Sequence, residues 1–151
     1  MINEKDFAEI SEAKSYLKEI EKADKIIKNK VTELEQLREI ATSITVNSNS
    51  DVVQTSGNND KIGAMIVKIV EKENELKSAL DALLQAKQER IAIIERLNDS
   101  TEYDILHKKY IQYKTLNEVA KEMGYSYVWI CQIHNSALLN VQKIRKKHMK
   151  T

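Results

Sequence analysis

Apolar side chains recur at alternating intervals of three and four residues along two long stretches of the chain. In the first stretch the repeating positions are Ala13, Leu17, Ile20, Asp24, Ile27, Val31 and Leu34. In the second they are Ile62, Ile66, Ile69, Glu73, Leu76, Leu80, Leu83, Lys87, Arg90, Ile94 and Leu97. This spacing is that of a heptad repeat, and it predicts two long amphipathic helices.

Residues 45–61, which separate the two stretches, are rich in Asn, Ser and Gly. This composition disfavours helix and offers little apolar surface to bury, so it predicts a mobile loop. If the chain folds back at this loop, Val31 lies near Leu76 and Leu17 lies near Arg90. We therefore predict a long antiparallel helical hairpin, a coiled coil, for this half of the chain.

Four charged residues interrupt the predicted seam, namely Asp24, Glu73, Lys87 and Arg90. Two explanations stay open: each charge extends out of the seam into solvent, or a pair such as Asp24 and Lys87 fixes the alignment of the helices. Further apolar residues lie beside the seam, where a hairpin of only two helices leaves them uncovered: Ile26, Leu37, Ile40, Val70 and Ile93. Their burial favours a homodimer in which two hairpins form a four-helix bundle.

The second long helix is expected to end at Asn98, Asp99 and Ser100, because Asn and Asp favour turns. Asp99 together with Glu102 is expected to cap the next helix. That helix is predicted to be short and to cover residues 103–113. The boundary divides the chain into the hairpin, residues 1–98, and a second domain, residues 99–151.

Residues 115–138 place small residues where two short helices joined by a tight turn need them. Ala120 is small enough for a second helix to cross over it, and Gly124 readily adopts the left-handed conformation that the turn requires. Thr115 and Glu118 form a capping box at the start of the first helix. We therefore predict a helix-turn-helix in the second domain, whose buried sides carry Val119, Met123, Ile130 and Ile133.

The composition agrees with an all-α fold, because the chain has no proline, only three glycines and 31% charged residues. A single cysteine excludes an internal disulfide framework and suits a reducing compartment. We find neither a signal peptide nor an apolar run of membrane-spanning length, and we expect a cytoplasmic protein. No catalytic set or phosphate loop is recognised, so we predict no enzyme and no cofactor. A metal shared by Cys131 and His134 lacks further ligands, and we predict none.

The overall net charge of +1 conceals an uneven distribution. Residues 1–101 carry 15 basic and 19 acidic side chains, whereas residues 102–151 carry 9 and 4. The half that contains the predicted helix-turn-helix is therefore basic, with a net charge of +5. Such asymmetry is expected when one module meets a polyanion, although an imbalance of this size also arises by chance.

About a quarter of the chain, residues 105–144, resembles region 4 of bacterial sigma factors. The similar features are Leu106, Lys109 and Tyr110, the sequence LNEVAKEMGYS from residue 116, and Ile130, Gln132, Ile133, Ala137, Leu138 and Val141. With its long helices ahead of this module, the chain is similar to small ArpU-type regulators of phages and mobile elements in Gram-positive bacteria. The resemblance implies a transcription regulator, an activator of late or transfer genes. We expect the hairpin either to set the spacing of a dimer or to contact RNA polymerase.

In a helix-turn-helix, the second helix enters the major groove of DNA by its N-terminal residues. Here the corresponding positions are Ser126, Tyr127, Val128, Cys131, Gln132 and Asn135. Gln132 is the best candidate for reading an adenine edge, and Val128 is suited to a thymine methyl group. Ser126 and Tyr127 suit a phosphate, but Ser126 also fits a simple helix cap, and for Trp129 packing against the preceding helix is favoured.

Basic residues near the C-terminus suit phosphate contacts, which give an affinity that falls steeply with salt. They are Lys143, Arg145, Lys146, Lys147, His148 and Lys150, with Lys109, Lys114 and Lys121 as further candidates. The same cations also stabilise a helix C-terminus, and both explanations stay open. Double-stranded DNA is thus the predicted partner. The alternative is an adaptor that docks on RNA polymerase or another protein through the hairpin and the apolar side chains of Tyr127, Val128 and Trp129.

Overall fold

The computed structural model describes residues 3–50 and 56–150 of the chain. No residue in the described ranges is in a strand, so the predicted all-α class is confirmed. The helices are α1 (Glu4–Ser50), α2 (Ser56–Ile94), α3 (Ser100–Leu106), α4 (Leu116–Met123) and α5 (Tyr127–Lys150). A π-helical turn, His107–Ile111, follows α3 directly.

The segment predicted as a loop, residues 45–61, is helical wherever the structure describes it. The first helix, α1, continues through Ser50, and α2 begins at Ser56. Only residues 51–55 of the predicted loop lie outside the described residues. The physical reason is that the intrinsic preference of Asn and Ser against helix is weak, whereas extending a helix that already exists avoids the cost of nucleation.

The described residues form two compact units, and each is considered by itself. One unit combines Met1–Lys22 with Leu84–Thr151, and the other is Ala23–Leu83. This division differs from the predicted boundary after residue 98, because the start of α1 and the end of α2 share a core with α3 and α5. That core contains Ala13, Tyr16, Leu17, Ile93, Ile94, Leu106, Tyr110, Ala137, Leu138 and Val141.

Within Ala23–Leu83, α1 and α2 pack through part of the predicted seam. Ile27, Leu34 and Leu83 are buried. Val31 of α1 and Leu76 of α2 line one cleft together with Leu34. The seam is imperfect along α2, because Ile66 and Leu80 are about half exposed, at 53% and 46%. The charged interruption at Glu73 is explained by Arg38 of α1, whose guanidinium lies 2.7 Å from its carboxylate.

Another of the four charged interruptions of the seam, Arg90, is buried in the unit that contains α3 and α5. Its guanidinium lies 2.5 Å from the carboxylate of Glu19 and 4.0 Å from the ring centre of Tyr16. Its Nε also donates to the carbonyl of Tyr16 at 3.3 Å. Arg90 therefore joins α2 to α1 as a packed and paired charge and does not extend into solvent.

The predicted start of α3 is confirmed at Asp99. Its carboxylate accepts hydrogen bonds from the backbone N–H groups of Thr101 and Glu102, at 2.8 and 3.3 Å. The Glu102 side chain does not complete a capping box, because it is buried against α5 and accepts hydrogen bonds from Ser136 and Asn140. Glu102 thereby fixes α3 to the middle of α5.

The short helix predicted for residues 103–113 differs from the observed segment. The observed segment begins earlier, at Ser100, changes to π-helical geometry at His107 and ends at Ile111. Tyr113 has a φ of 60°, which lies in the left-handed region and is incompatible with continuing the helix. This geometry leads the chain directly into α4.

No helix in the described part of the chain combines the length and the apolar character needed to cross a membrane.

Candidate nucleic-acid interface

The connection between α4 and α5 has the geometry that the sequence predicts. Thr115 caps α4, because its hydroxyl accepts from the Glu118 N–H at 3.2 Å and donates to the Glu118 carboxylate at 3.1 Å. Gly124 ends α4 with a φ of 75°, and its N–H donates to the carbonyl of Ala120 at 2.9 Å. A Cβ on Gly124 would meet no atom within 4 Å, so glycine is favoured by its backbone conformation alone.

A small apolar core holds α4 against α5. Ile105, Val119, Ala120 and Ile130 are buried together, and Leu116, Met123 and Ile133 pack against them. All four residues predicted for the buried sides, Val119, Met123, Ile130 and Ile133, belong to this cluster. The orientation of the start of α5 is therefore set by packing and by the turn.

The first turns of α5 are exposed to solvent. Val128 and Tyr127 are 65% and 49% exposed, and Ser126 and Gln132 are exposed as well. The hydroxyl of Ser126 accepts from the Trp129 N–H at 3.2 Å, so Ser126 caps the helix. These side chains form a surface that a large partner can reach.

The ring of Trp129 lies against that of Tyr125 in the turn before α5, with the ring centres 4.3 Å apart. Together with Tyr127 and Val128, these two rings give the start of α5 a partly apolar surface. We call the exposed side chains of Tyr125, Tyr127, Val128 and Trp129 the aromatic edge.

Two of the predicted contact residues, Cys131 and Asn135, are only half exposed. They line a cleft of about 400 Å³ in which the start of α1 faces α4 and α5. The hydroxyl of Tyr127 hydrogen-bonds to the thiol of Cys131, which raises the pKa of Tyr127. The residues around this cleft are Phe7, Ile10, Ser11, Lys14, Leu116, Cys131, His134 and Asn135.

His134 also lines this cleft, and its side chain is buried. Its Nε2 lies 2.7 Å from the hydroxyl of Tyr110. The pKa of His134 is lowered to about 4, first by burial and then by the positive charges of Lys14, Lys109 and Lys18. His134 is therefore neutral near pH 7 and has a structural partner.

Lys114 does not extend freely from the surface. It lies 2.5 Å from Glu122, which also pairs with Lys108 at 2.7 Å. The hydrogen bonds that these two ammonium groups donate lower the pKa of Glu122 to about 2, and the bond that Lys108 donates to Glu122 raises the pKa of Lys108. This carboxylate partly neutralises the predicted phosphate contact at Lys114.

The basic tail contains both engaged and unengaged side chains. The guanidinium of Arg145 lies 3.9 Å from the ring centre of Tyr16, and the ammonium of Lys146 pairs with the carboxylate of Glu9. Lys143 and Lys147 are exposed, as is Lys121 on α4. Among the ion pairs of residues 3–50 and 56–150, none involves these three exposed lysines.

Two lysines near the cleft were missed by sequence reasoning. Lys14 and Lys18 lie one turn apart on α1, and their charges act on both Lys109 and His134. The pKa of Lys109 is lowered, first by its burial and then by Lys18 and Lys14. The only sequence signal is that Lys14 and Lys18 flank the seam residue Leu17, and this does not show which helix they approach.

The described part of the chain holds no group of three or more His, Cys, Asp and Glu side chains able to bind a metal ion. Comparison with family models, with curated proteins and with solved structures finds no match.

Proposed function

We propose that this protein is a sequence-specific, DNA-binding transcription regulator. In this proposal α4 and α5 act as a helix-turn-helix, and the first turns of α5 enter the major groove. The observation that carries the proposal is the exposed start of α5, held in place by the buried core around Ala120 and Ile130. A recognition helix needs both properties, because bases are read only if the helix is exposed and fixed in orientation.

The exposed side chains suggest a division of roles. Gln132 is able to form two hydrogen bonds with the N6 and N7 of adenine, and Val128 to contact a thymine methyl group. Ser126 and Tyr127 lie where hydroxyl and backbone N–H groups meet a phosphate. Cys131 and Asn135 are less accessible, so we assign them to the margin of the interface.

The charge distribution supports a polyanionic partner. Lys121, Lys143 and Lys147 are exposed, whereas Arg145 and Lys146 are engaged with α1. We therefore assign the main non-specific phosphate contacts of the C-terminal half to the three exposed lysines. The resemblance to sigma region 4 and to ArpU-type regulators is consistent with this assignment.

For the two long helices we propose an antiparallel hairpin that dimerises. Within Ala23–Leu83, several large apolar side chains are between 46% and 60% exposed, which is costly for a monomer: Ile26, Ile40, Val46, Ile66, Val67, Val70 and Leu80. A second copy of the hairpin would cover them in a four-helix bundle. A dimer would also set the spacing between two DNA half-sites.

The test is a salt-titrated mobility shift with duplex DNA from the region upstream of the protein's own gene. We expect a retarded complex that weakens as salt is added. The logarithm of its affinity should fall linearly with the logarithm of the salt concentration. A shuffled duplex of the same composition should bind more weakly. Equal binding of both duplexes would refute sequence-specific recognition, and no binding at low salt would refute DNA binding altogether.

A second candidate function is favoured by the aromatic edge. Its side chains are large, apolar and exposed, and aromatic residues are enriched in the centres of protein interfaces. In this alternative the protein is an adaptor that docks on RNA polymerase or another protein. The adaptor would be favoured if the intact chain bound RNA polymerase but no DNA, and if Trp129→Ala abolished the binding to polymerase.

A further inference from the structure

The cleft beside α5 lies next to the surface proposed to read DNA. Asn135 and Cys131 form one wall, and they lie on the same helix as the exposed Gln132. Lys14 and Ser11 of α1 and Leu116 at the start of α4 also line the cleft. A duplex against Gln132 would therefore bring one of its strands to the mouth of this cleft.

Three lysines gather around this cleft. Lys14 lines it directly, and Lys14 and Lys18 are both exposed. Lys109, on the π-helical turn, is half buried and close enough to both for their charges to act on it. Among the described residues, no ion pair involves any of the three.

The mutual repulsion of these cations is only partly offset by nearby carboxylates. Burial first, and then the charges of Lys18 and Lys14, lower the pKa of Lys109. Glu21, whose effect is larger than that of Lys14, and Glu118 act in the opposite direction and raise it. An anion in the cleft would relieve the repulsion.

We infer that the cleft between the start of α1 and α5 binds the sugar-phosphate backbone of double-stranded DNA, with Lys14 and Lys18 neutralising its phosphates. The inference rests on the proposed function and adds α1 to the interface. Ser11 and Asn135 offer hydrogen bonds to phosphate oxygens. Phe7, Ile10 and Leu116 give apolar surface that suits deoxyribose.

The test compares two double variants of the full chain with the intact protein. Lys14→Gln/Lys18→Gln removes the two exposed cations of the cleft. Lys28→Gln/Lys68→Gln is the matched control, because it removes two exposed lysines from the other unit, Ala23–Leu83. All substituted positions are exposed on helices, so each variant is expected to fold, and circular dichroism verifies this.

The readout is the slope of the logarithm of affinity against the logarithm of salt concentration, for a fluorescent duplex from the upstream region. Each phosphate neutralised contributes about 0.9 to this slope, so Lys14→Gln/Lys18→Gln should reduce its magnitude by about 2. The control should leave it unchanged. The affinity for upstream and shuffled duplexes should fall by the same factor.

Two contrary results are distinguishable. If the intact protein binds DNA but the slope is unaltered by Lys14→Gln/Lys18→Gln, or is altered equally by the control, the cleft does not hold the backbone. In that case the proposed function stands. If the intact protein shows no salt-dependent binding to any duplex, both the function and the cleft inference are refuted.

Discussion

The hydroxyl of Tyr110 and Nε2 of His134 share a buried hydrogen bond of 2.7 Å, and their rings stack with centres 5.7 Å apart. The bond joins the π-helical turn to α5. Both side chains are almost fully buried, at 3% and 5% exposure. Protonation of His134 would place a charge in this interior.

Stability should therefore fall as the solution becomes acidic. The pKa of His134 is about 4 in the folded protein and near 6.5 in the unfolded chain, so between these values the unfolded state binds more protons. The contribution of neutral His134 to the free energy of unfolding is fully present above pH 6.5 and decreases as the pH falls towards 4. Between pH 7 and pH 5 the expected loss is about 2 kcal/mol.

Urea denaturation of the intact protein and of His134→Gln at both pH values measures this effect. The variant lacks the titrating group, so its free energy of unfolding should change less between pH 7 and pH 5. An equal change in both proteins would show that other groups cause the pH dependence.

Gly124→Ala should destabilise the protein by about 1–2 kcal/mol, because alanine disfavours a φ of 75°. No clash adds to this cost, since the new Cβ has open space around it. Gly63→Ala is the matched control within α2, where the Cβ also meets nothing. There alanine should stabilise the helix by about 0.5–1 kcal/mol. Urea midpoints shifted in the same direction by both changes would disprove the argument.

Gln132→Ala should weaken binding to the upstream duplex by about 1–3 kcal/mol and leave the shuffled duplex almost unaffected. Lys147→Gln should weaken both duplexes alike, because a phosphate contact carries no sequence information. Lys146→Gln should have a smaller effect, since its ammonium already pairs with Glu9. Anisotropy titrations of both duplexes give the comparison. Parallel losses for Gln132→Ala on the two duplexes would remove its role as a reader.

Light scattering at micromolar concentration should give the mass of two chains. Ile40→Glu/Val70→Glu places charges on two half-exposed apolar positions of Ala23–Leu83 and should shift the mass to one chain. Ser43→Glu/Ser78→Glu adds the same charge at exposed polar positions of that unit and should stay dimeric. A single-chain mass for the intact protein would exclude the dimer.

Local features were predictable from sequence because they depend on residues close together in the chain. The Thr115 cap and the left-handed Gly124 need only neighbours within four residues, and the small core around Ala120 follows from helical periodicity. The π-helical turn at His107–Ile111 was missed, because its apolar spacing resembles that of an ordinary helix.

Long-range partners could not be read from the sequence. Arg145 and Lys146 look like free cations in a basic tail, yet Tyr16 and Glu9 of α1 engage them. In the same way, Glu102 fits a capping box by spacing, but its carboxylate binds Asn140, 38 positions along the chain. Such pairings depend on how whole helices pack, which local pattern does not specify.

The account depends most on the claim that the exposed start of α5 meets duplex DNA. The direct measurement is an NMR titration of the ¹⁵N-labelled protein with the upstream duplex, in which backbone amide shifts report the contact surface. We expect the largest shifts at residues 126–132, with smaller shifts around Lys14 and Lys18. Shifts confined to Ala23–Leu83, or none at a low salt concentration, would contradict the account.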